Sequence, residues 1–266
     1  MLIFDVDGVI TNPQKKRITE FEILDEIIRS LERGIPVALN TGRSVSWMTE
    51  KVINLLNEKV GDKTILKNFL AVGEKGGTWA EFDGQGKLII NKDKNISVPD
   101  NLKDAVRDLI RDKFSESMFY DESKLTMIST EMKDGHSLED YKEQQKILVS
   151  EFELLLSKNN LGEKFKIDPT TIAVDVENTF VGKHFAVRRI INWIKNKGIK
   201  PQRYITFGDS FRSDIPMAEE LYLQNLPVEF VYVGKEDIDT AKLPFPIKIT
   251  QNKYGKGTLE FLKSLA

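Results

Sequence analysis

The stretch Leu2-Ile3-Phe4-Asp5-Val6-Asp7-Gly8-Val9-Ile10-Thr11 decides the fold class. It opens as an apolar run and stops at acidic residues and a glycine, the pattern of a strand buried on both faces that ends in a loop. Downstream, Phe21, Ile23, Leu24, Ile27, Ile28 and Leu31 recur at helical spacing between Glu20 and Arg33, and Gly34 stands where a helix C-cap belongs. Ile35 to Leu39 reads as a second buried strand and Ser44 to Asn57 as an amphipathic helix. Phe69 to Val72 reads as a third strand, closed by Gly73-Glu74-Lys75-Gly76-Gly77. Strand, helix and strand in alternation predict an α/β fold, a doubly wound Rossmann-like parallel sheet.

After Gly77 the rhythm changes. Thr78 to Ile90 reads as a hairpin around Asp83-Gly84-Gln85-Gly86, followed by a helix over Asn101 to Phe114. Leu125 to Thr130 and Ile172 to Val176 fit strands, with a long helix over Leu138 to Leu156 between them. From Lys183 the first rhythm returns: helix Phe185 to Lys197, strand Tyr204 to Phe207, helix Ile215 to Leu221, strand Phe230 to Val233 and a last helix from Thr258. The expected organisation is a core made of residues 1–80 and 178–266, with an α+β cap inserted over 81–177.

Composition narrows the function classes. At 266 residues the chain exceeds the usual domain size, roughly 100–150 residues, which fits a core carrying an insert. With 40% hydrophobic and 30% charged residues it reads as soluble and globular, and no apolar run is long enough to span a membrane. A net charge of −2 argues against nucleic acid as a main partner and leaves a small anionic substrate open. The start Met1-Leu2-Ile3-Phe4-Asp5 lacks the pattern of a signal peptide and cysteine is absent, so a cytoplasmic location is expected. Oligomeric state is not encoded in any pattern visible in the chain.

The residues with chemistry to offer sit at strand ends. Asp5 and Asp7 leave the first strand in different directions, so one carboxylate can meet a substrate and a metal while the other reaches a leaving group. A carboxylate nucleophile can form an aspartyl-phosphate, and a neighbouring carboxylic acid can protonate the departing alkoxide. Read blandly, the same pair is two solvated loop aspartates. Asn40-Thr41-Gly42-Arg43 offers a hydroxyl and backbone N–H groups to phosphate oxygens; it serves equally as a helix cap through Thr41 or Ser44. Gly208-Asp209-Ser210-Phe211-Arg212-Ser213-Asp214 gathers acidic oxygens suited to Mg²⁺, while Asp214 alone also fits an N-cap before Ile215. Lys183, just before a helix, carries weight only through its order after the other loops.

In that order, nucleophile loop, hydroxyl loop, lysine and acidic loop, the chain resembles the haloacid dehalogenase superfamily of phosphohydrolases over both core segments. The resemblance implies that Asp5 is the nucleophile and a metal ligand, and that Asp7 is the general acid/base whose main-chain carbonyl also touches the metal. It implies that Thr41, Gly42 and Lys183 hold the phosphoryl group, and that Asp209 and Asp214 complete a Mg²⁺ site. A cap between the hydroxyl loop and the lysine is similar to the subclass that contains the Cof-type sugar phosphatases and the sucrose- and trehalose-phosphate phosphatases. Gly73-Glu74-Lys75-Gly76-Gly77 resembles a Glu-Asn-Gly segment of that subclass, with Lys75 in place of the asparagine. The implied activity is Mg²⁺-dependent hydrolysis of a small phosphate monoester, a sugar or polyol phosphate first. Phosphoglycolate hydrolysis, a phosphomutase and a non-catalytic binding module stand as alternatives. His136 and His184 are read as structural, Trp47 as core packing, and Thr258 as an N-cap.

Overall fold

The computed structural model describes residues 1–240 and 243–265. Along the chain, β1 (Leu2–Phe4), α1 (Glu22–Glu32), β2 (Val37–Asn40), α2 (Val45–Met48), α3 (Asn54–Lys59), β3 (Phe69–Gly73), β4 (Thr78–Phe82) and β5 (Leu88–Lys92) come first. Next are α4 (Asp100–Leu109), β6 (Met118–Tyr120), β7 (Ile128–Met132), α5 (Leu138–Lys158), β8 (Phe165–Pro169) and β9 (Ala173–Asn178). Last come α6 (Lys183–Asn196), β10 (Tyr204–Gly208), α7 (Phe211–Leu223), β11 (Val228–Tyr232), β12 (Ile247–Ile249) and α8 (Gly255–Lys263). The chain divides into two compact units, Met1–Asn91 with Gly182–Ala266, and Lys92–Val181.

The first unit is a doubly wound sheet in the order β12-β11-β10-β1-β2-β3-β4-β5, parallel from β12 to β3 and antiparallel at β4. Successive residues of β1 face opposite ways. Phe4 joins the cluster of Ile23, Leu56 and Phe261 from α1, α3 and α8, and Ile3 joins that of Ile190 and Met217 from α6 and α7. Because both faces are covered, β1 must be apolar throughout, which explains its legibility. The strand order reverses direction at β1, and ligands of open α/β sheets bind beyond the carboxyl ends at such a switch point.

The second unit packs α4 and α5 on the antiparallel sheet β6-β7-β9-β8 around Leu102, Val106, Tyr141, Phe152, Val174 and Val176. The hairpin expected at the start of the insert belongs instead to the core sheet, as β4 and β5. Its turn is closed by Asp83 Oδ1, which accepts from Gln85 N and Lys87 N at 2.8 and 2.9 Å. The helix expected over Ser44 to Asn57 runs as α2, a π-turn at Thr49–Ile53, and α3. Among the described residues no helix is long and apolar enough to cross a membrane.

Candidate active site

Four loops meet at the carboxyl ends of β1, β2, β3 and β10. Asp5 follows β1 directly, and its backbone N–H donates to Phe207 O of the neighbouring β10 at 3.0 Å. Its residue is 6% exposed, so this nucleophile candidate is a buried carboxylate and not a solvated loop aspartate. Burial pushes the Asp5 carboxyl well above the usual range; Lys183 pulls it down, and Asp214 and Asp7 push it further up.

Lys183 is the first residue of α6 and is not ahead of the helix. Its Nζ lies 2.8 Å from Asp5 Oδ1 and also donates to Asp214 Oδ1. Burial alone would lower its pKa, but the two carboxylates outweigh this and raise it. Its main chain is anchored as well: Asn40 Nδ2 donates to Lys183 O at 2.9 Å, tying the end of β2 to the first turn of α6.

The hydroxyl loop resolves its alternative readings. Ser44 is the N-cap of α2, accepting from Trp47 N at 3.1 Å. Thr41 is therefore available for another task; it is 2% exposed and its Oγ1 accepts from Arg43 N at 3.2 Å. Beside it, a Cβ built on Gly42 would lie 3.7 Å from Cε and 3.8 Å from Cγ of Lys75.

Asp209 follows β10, and α7 begins at Phe211, so Asp214 lies in the first turn of that helix, and the alternative reading of it as an N-cap before Ile215 does not hold. Asp214 is fully buried and its Oδ2 accepts from Ser210 N at 3.0 Å, closing the loop on itself. Burial first, and the Asp214 charge second, push the Asp209 carboxyl up to about 7. Gly8, at φ 74°, is what lets Asp209 in: a Cβ there would stand 2.0 Å from Asp209 Oδ2.

Asp5, Asp209 and Asp214 each bring an oxygen within 4.8 Å of the others. An all-carboxylate donor set suits a hard divalent cation, and burial first, with the neighbouring carboxylates second, disfavours ionised Asp5 and Asp209, a cost that such a cation would offset. The donor set therefore fits Mg²⁺. The Asp7 side chain is not in that group. Its carboxylate takes a two-point ion pair from Arg43, Nε to Oδ2 at 3.0 Å and Nη2 to Oδ1 at 3.3 Å.

Sequence reasoning gave no role to Arg43, Gly8 or Asn40. Arg43 stood inside a quoted motif and could have been singled out as a cation with a planar fork in a carboxylate-rich site. Its guanidinium sits 5.0 Å over the ring of Trp47, a partly buried residue packed against the core. Thr258 lies inside α8 and donates to Val9 O at 2.8 Å, so it pins the loop after Asp7 and is not an N-cap.

The chain matches the family described as haloacid dehalogenase-like hydrolase over residues 2–173. No curated protein sequence matches it. Among solved structures it is similar to the Thermoplasma acidophilum protein 0175, with a TM-score of 0.60 and 20% identity over 99% of this chain and 96% of that one. It is also similar to the C-terminal domain of the trehalose-6-phosphate phosphatase of C. albicans, with a TM-score of 0.67 and 16% identity over 99% and 90%. A third likeness is to the sucrose-phosphatase of Synechocystis sp. PCC6803 in complex with sucrose and phosphate, with a TM-score of 0.54 and 16% identity over 99% and 96%. At these identities the likenesses speak for the fold.

Proposed function

The chain belongs to the haloacid dehalogenase-like hydrolases, and from that premise we propose that it hydrolyses a small phosphate monoester, a sugar or polyol phosphate, through a phosphorylated Asp5. The observation that carries this reading is the buried Asp5 carboxylate at the end of β1, 2.8 Å from the ammonium of Lys183 and beside two further carboxylates. Phosphoryl transfer asks a protein for positioning and charge neutralisation above all.

In the proposed mechanism Asp5 attacks phosphorus while the ester oxygen leaves with a proton from Asp7. Water then gives a proton to Asp7 and attacks the phosphorylated Asp5, releasing phosphate and restoring both carboxyl groups. The Lys183 ammonium and the Thr41 hydroxyl hold the non-bridging oxygens, together with the backbone at Gly42. A Mg²⁺ ion held by Asp5, Asp209, Asp214 and the Asp7 carbonyl would add charge neutralisation at the transferring group. We assign choice of the leaving group to the unit Lys92–Val181, because the core loops supply chemistry for phosphate alone.

Phosphate release from phosphorylated sugars, polyols, glycolate and an aryl ester, with Mg²⁺ and with chelator, tests the proposal. Mg²⁺-dependent release from sugar or polyol esters is expected, and Asp5→Asn should leave the fold intact with no turnover. Substantial activity in that variant would remove Asp5 from the nucleophile role.

A further inference from the structure

β2 reads Val37-Ala38-Leu39-Asn40 and is buried along its whole length, so its one polar side chain stands where an apolar one would pack. Ala38 and Ile3 share a hydrophobic cluster with Ala186 and Ile190 of α6. Strand residues two apart point the same way, which turns Asn40 and Asp5 towards α6 as well. Leu39 pairs with Phe4 in the parallel register, so Asn40 and Asp5 are the next residues of adjoining strands. Asn40 is fully buried, and its Nδ2 donates to Lys183 O at 2.9 Å. A carbonyl only accepts, so this bond also fixes which end of the amide faces Lys183. The Asn40 Oδ1 meets no donor among the described residues. A buried acceptor without a donor weakens a fold, so stability does not account for an amide at this position; the bond it makes goes to Lys183.

Lys183 needs an anchor for its main chain. It opens α6, and that helix has no side-chain cap, because Gly182 stands at the cap position. Helix ends fray, and a glycine there adds freedom. Two bonds from neighbouring strand ends do the work of the cap. Gly182 N donates to Lys75 O at 3.1 Å, and Asn40 Nδ2 reaches Lys183 itself. At its other end Lys183 is held 2.8 Å from Asp5 Oδ1 and donates to Asp214 Oδ1. In the proposed mechanism Asp5 becomes bonded to phosphorus, so its hold on the ammonium changes during the reaction. The bond from Asn40 to the Lys183 main chain takes no part in that step and stays the same throughout.

We infer that Asn40 is a positioning residue for phosphoryl transfer: by fixing the Lys183 main chain from the end of β2, it sets the direction in which the Lys183 ammonium meets the transferring phosphoryl group. The inference rests on the reading of Lys183 as a phosphoryl-binding residue and adds to it a side chain that touches neither substrate nor metal. An interaction of this kind serves the transition state more than the ground state, since misdirection of the ammonium matters most where charge is redistributed.

The test uses Asn40→Leu, which keeps about the same volume and removes both polar groups, and Asn40→Ala, which repeats the measurement if the Leu variant does not fold. Turnover of p-nitrophenyl phosphate is read with Mg²⁺, and binding of orthovanadate and of inorganic phosphate by calorimetry. In the Leu variant kcat and kcat/KM should fall together by between about tenfold and 100-fold, the upper figure being what a misplacement of about 1 Å can cost, with KM within about twofold of the parent. Orthovanadate, which imitates five-coordinate phosphorus, should bind at least about tenfold more weakly, while inorganic phosphate changes by less than about twofold. The urea midpoint of the Leu variant should be no lower than that of the parent, because an unmet acceptor leaves with the amide. Added to Lys183→Met, Asn40→Leu should change kcat/KM and orthovanadate binding by less than about twofold, as expected of two residues that act as a unit. Equal weakening of orthovanadate and phosphate, a full additional loss in the double variant, or parent kinetics in both Asn40 variants overturns the inference and leaves the reading of Lys183 standing. Parent kcat/KM in Lys183→Met alone would overturn that reading, and the inference with it.

Discussion

Lys183 Nζ lies 2.8 Å from Asp5 Oδ1 and simultaneously donates to Asp214 Oδ1, so one ammonium joins the end of β1 to the first turn of α7. The Asp214 side chain is fully shielded and that of Asp5 nearly so, and each depends on this cation for compensation. Lys183→Met would leave two carboxylates crowded without it. Removal of one partner from a buried ion pair costs about 3–5 kcal/mol, and urea unfolding at pH 8 without divalent cation should show a loss of that order. Adding Asp214→Asn should return part of the stability by removing one of the stranded charges. It should not return turnover, and a double variant no more stable than the single one would disconnect Lys183 from the Asp214 carboxylate.

The pH dependence of stability should carry the mark of Asp209. Its folded-state carboxyl titrates near 7, raised from 3.8 by burial and by the Asp214 charge. A raised acid pKa means that between these two values the folded chain binds the proton that the unfolded chain has lost. Stability therefore falls as pH rises through this window and levels off above about 7, by at most about 4 kcal/mol at 1.36 kcal/mol per pH unit. Asp209→Asn should flatten this part of the curve in denaturant titrations with chelator, and should make the chain more stable than the parent at pH 8. Mg²⁺ should stabilise the parent more than the variant, and more at pH 8 than at pH 5, because the ion competes with the proton. A parent curve that rises between pH 5 and 7 in chelator would count against this account of Asp209.

What the chain disclosed of itself follows from where apolar side chains were compelled. β1, β2, β3, β10 and β11 have helices on both faces, so Leu2–Phe4 and Tyr204–Gly208 had to be apolar runs, and the loops that end them stood out. β8 and β12 were not visible. Phe165–Pro169 has only Phe165 fully buried and Ile247–Ile249 none, as edge strands do not need an apolar run. The start of α7 was hidden because Ser210 to Ser213 reads as loop, whereas the Asp214 N bond to Ser210 O at 2.9 Å shows the turn already winding. The order of Asp5, Thr41, Lys183 and Asp209 was legible because each follows a strand or opens a helix. The bonds that orient them were not: Arg43 to Asp7 and Asn40 to Lys183 join residues 36 and 143 positions apart.

Gly8 should prove indispensable for a spatial reason. At φ 74° it already favours glycine, and a methyl group there would stand 2.0 Å from Asp209 Oδ2. Gly8→Ala must therefore strain the loop and push the Asp209 carboxylate away from Asp5 and Asp214. Displacing even a partner of a metal ligand weakens metal affinity by about 10–100-fold, so displacing the ligand Asp209 should raise the Mg²⁺ concentration needed for phosphate release by at least about tenfold. Gly34→Ala is the control: it has the same φ of 74° but no atom within 4 Å of the added methyl, so it should lower stability alone. Equal Mg²⁺ requirements in the two variants would show that backbone strain, and not Asp209, accounts for the effect.

Arg43 should act on leaving-group protonation through Asp7. Its guanidinium grips both Asp7 oxygens, at 3.0 and 3.3 Å, and is itself laid 5.0 Å over Trp47, so the carboxylate is held in one direction by a planar group that lysine cannot imitate. An alkoxide needs a proton to leave, whereas p-nitrophenolate departs with little help. The ratio kcat/KM is the quantity to follow, since it covers only the steps up to departure of the leaving group and omits hydrolysis of the phosphorylated Asp5. For Arg43→Ala, kcat/KM on an alkyl phosphate should fall about 100-fold, the lower range for loss of general acid catalysis, while p-nitrophenyl phosphate changes by less than about threefold. Arg43→Lys should lie between, because it keeps the charge and loses the fork. Equal losses on both esters would mean that Arg43 acts on the phosphoryl group or on the fold, and the assignment through Asp7 would be withdrawn.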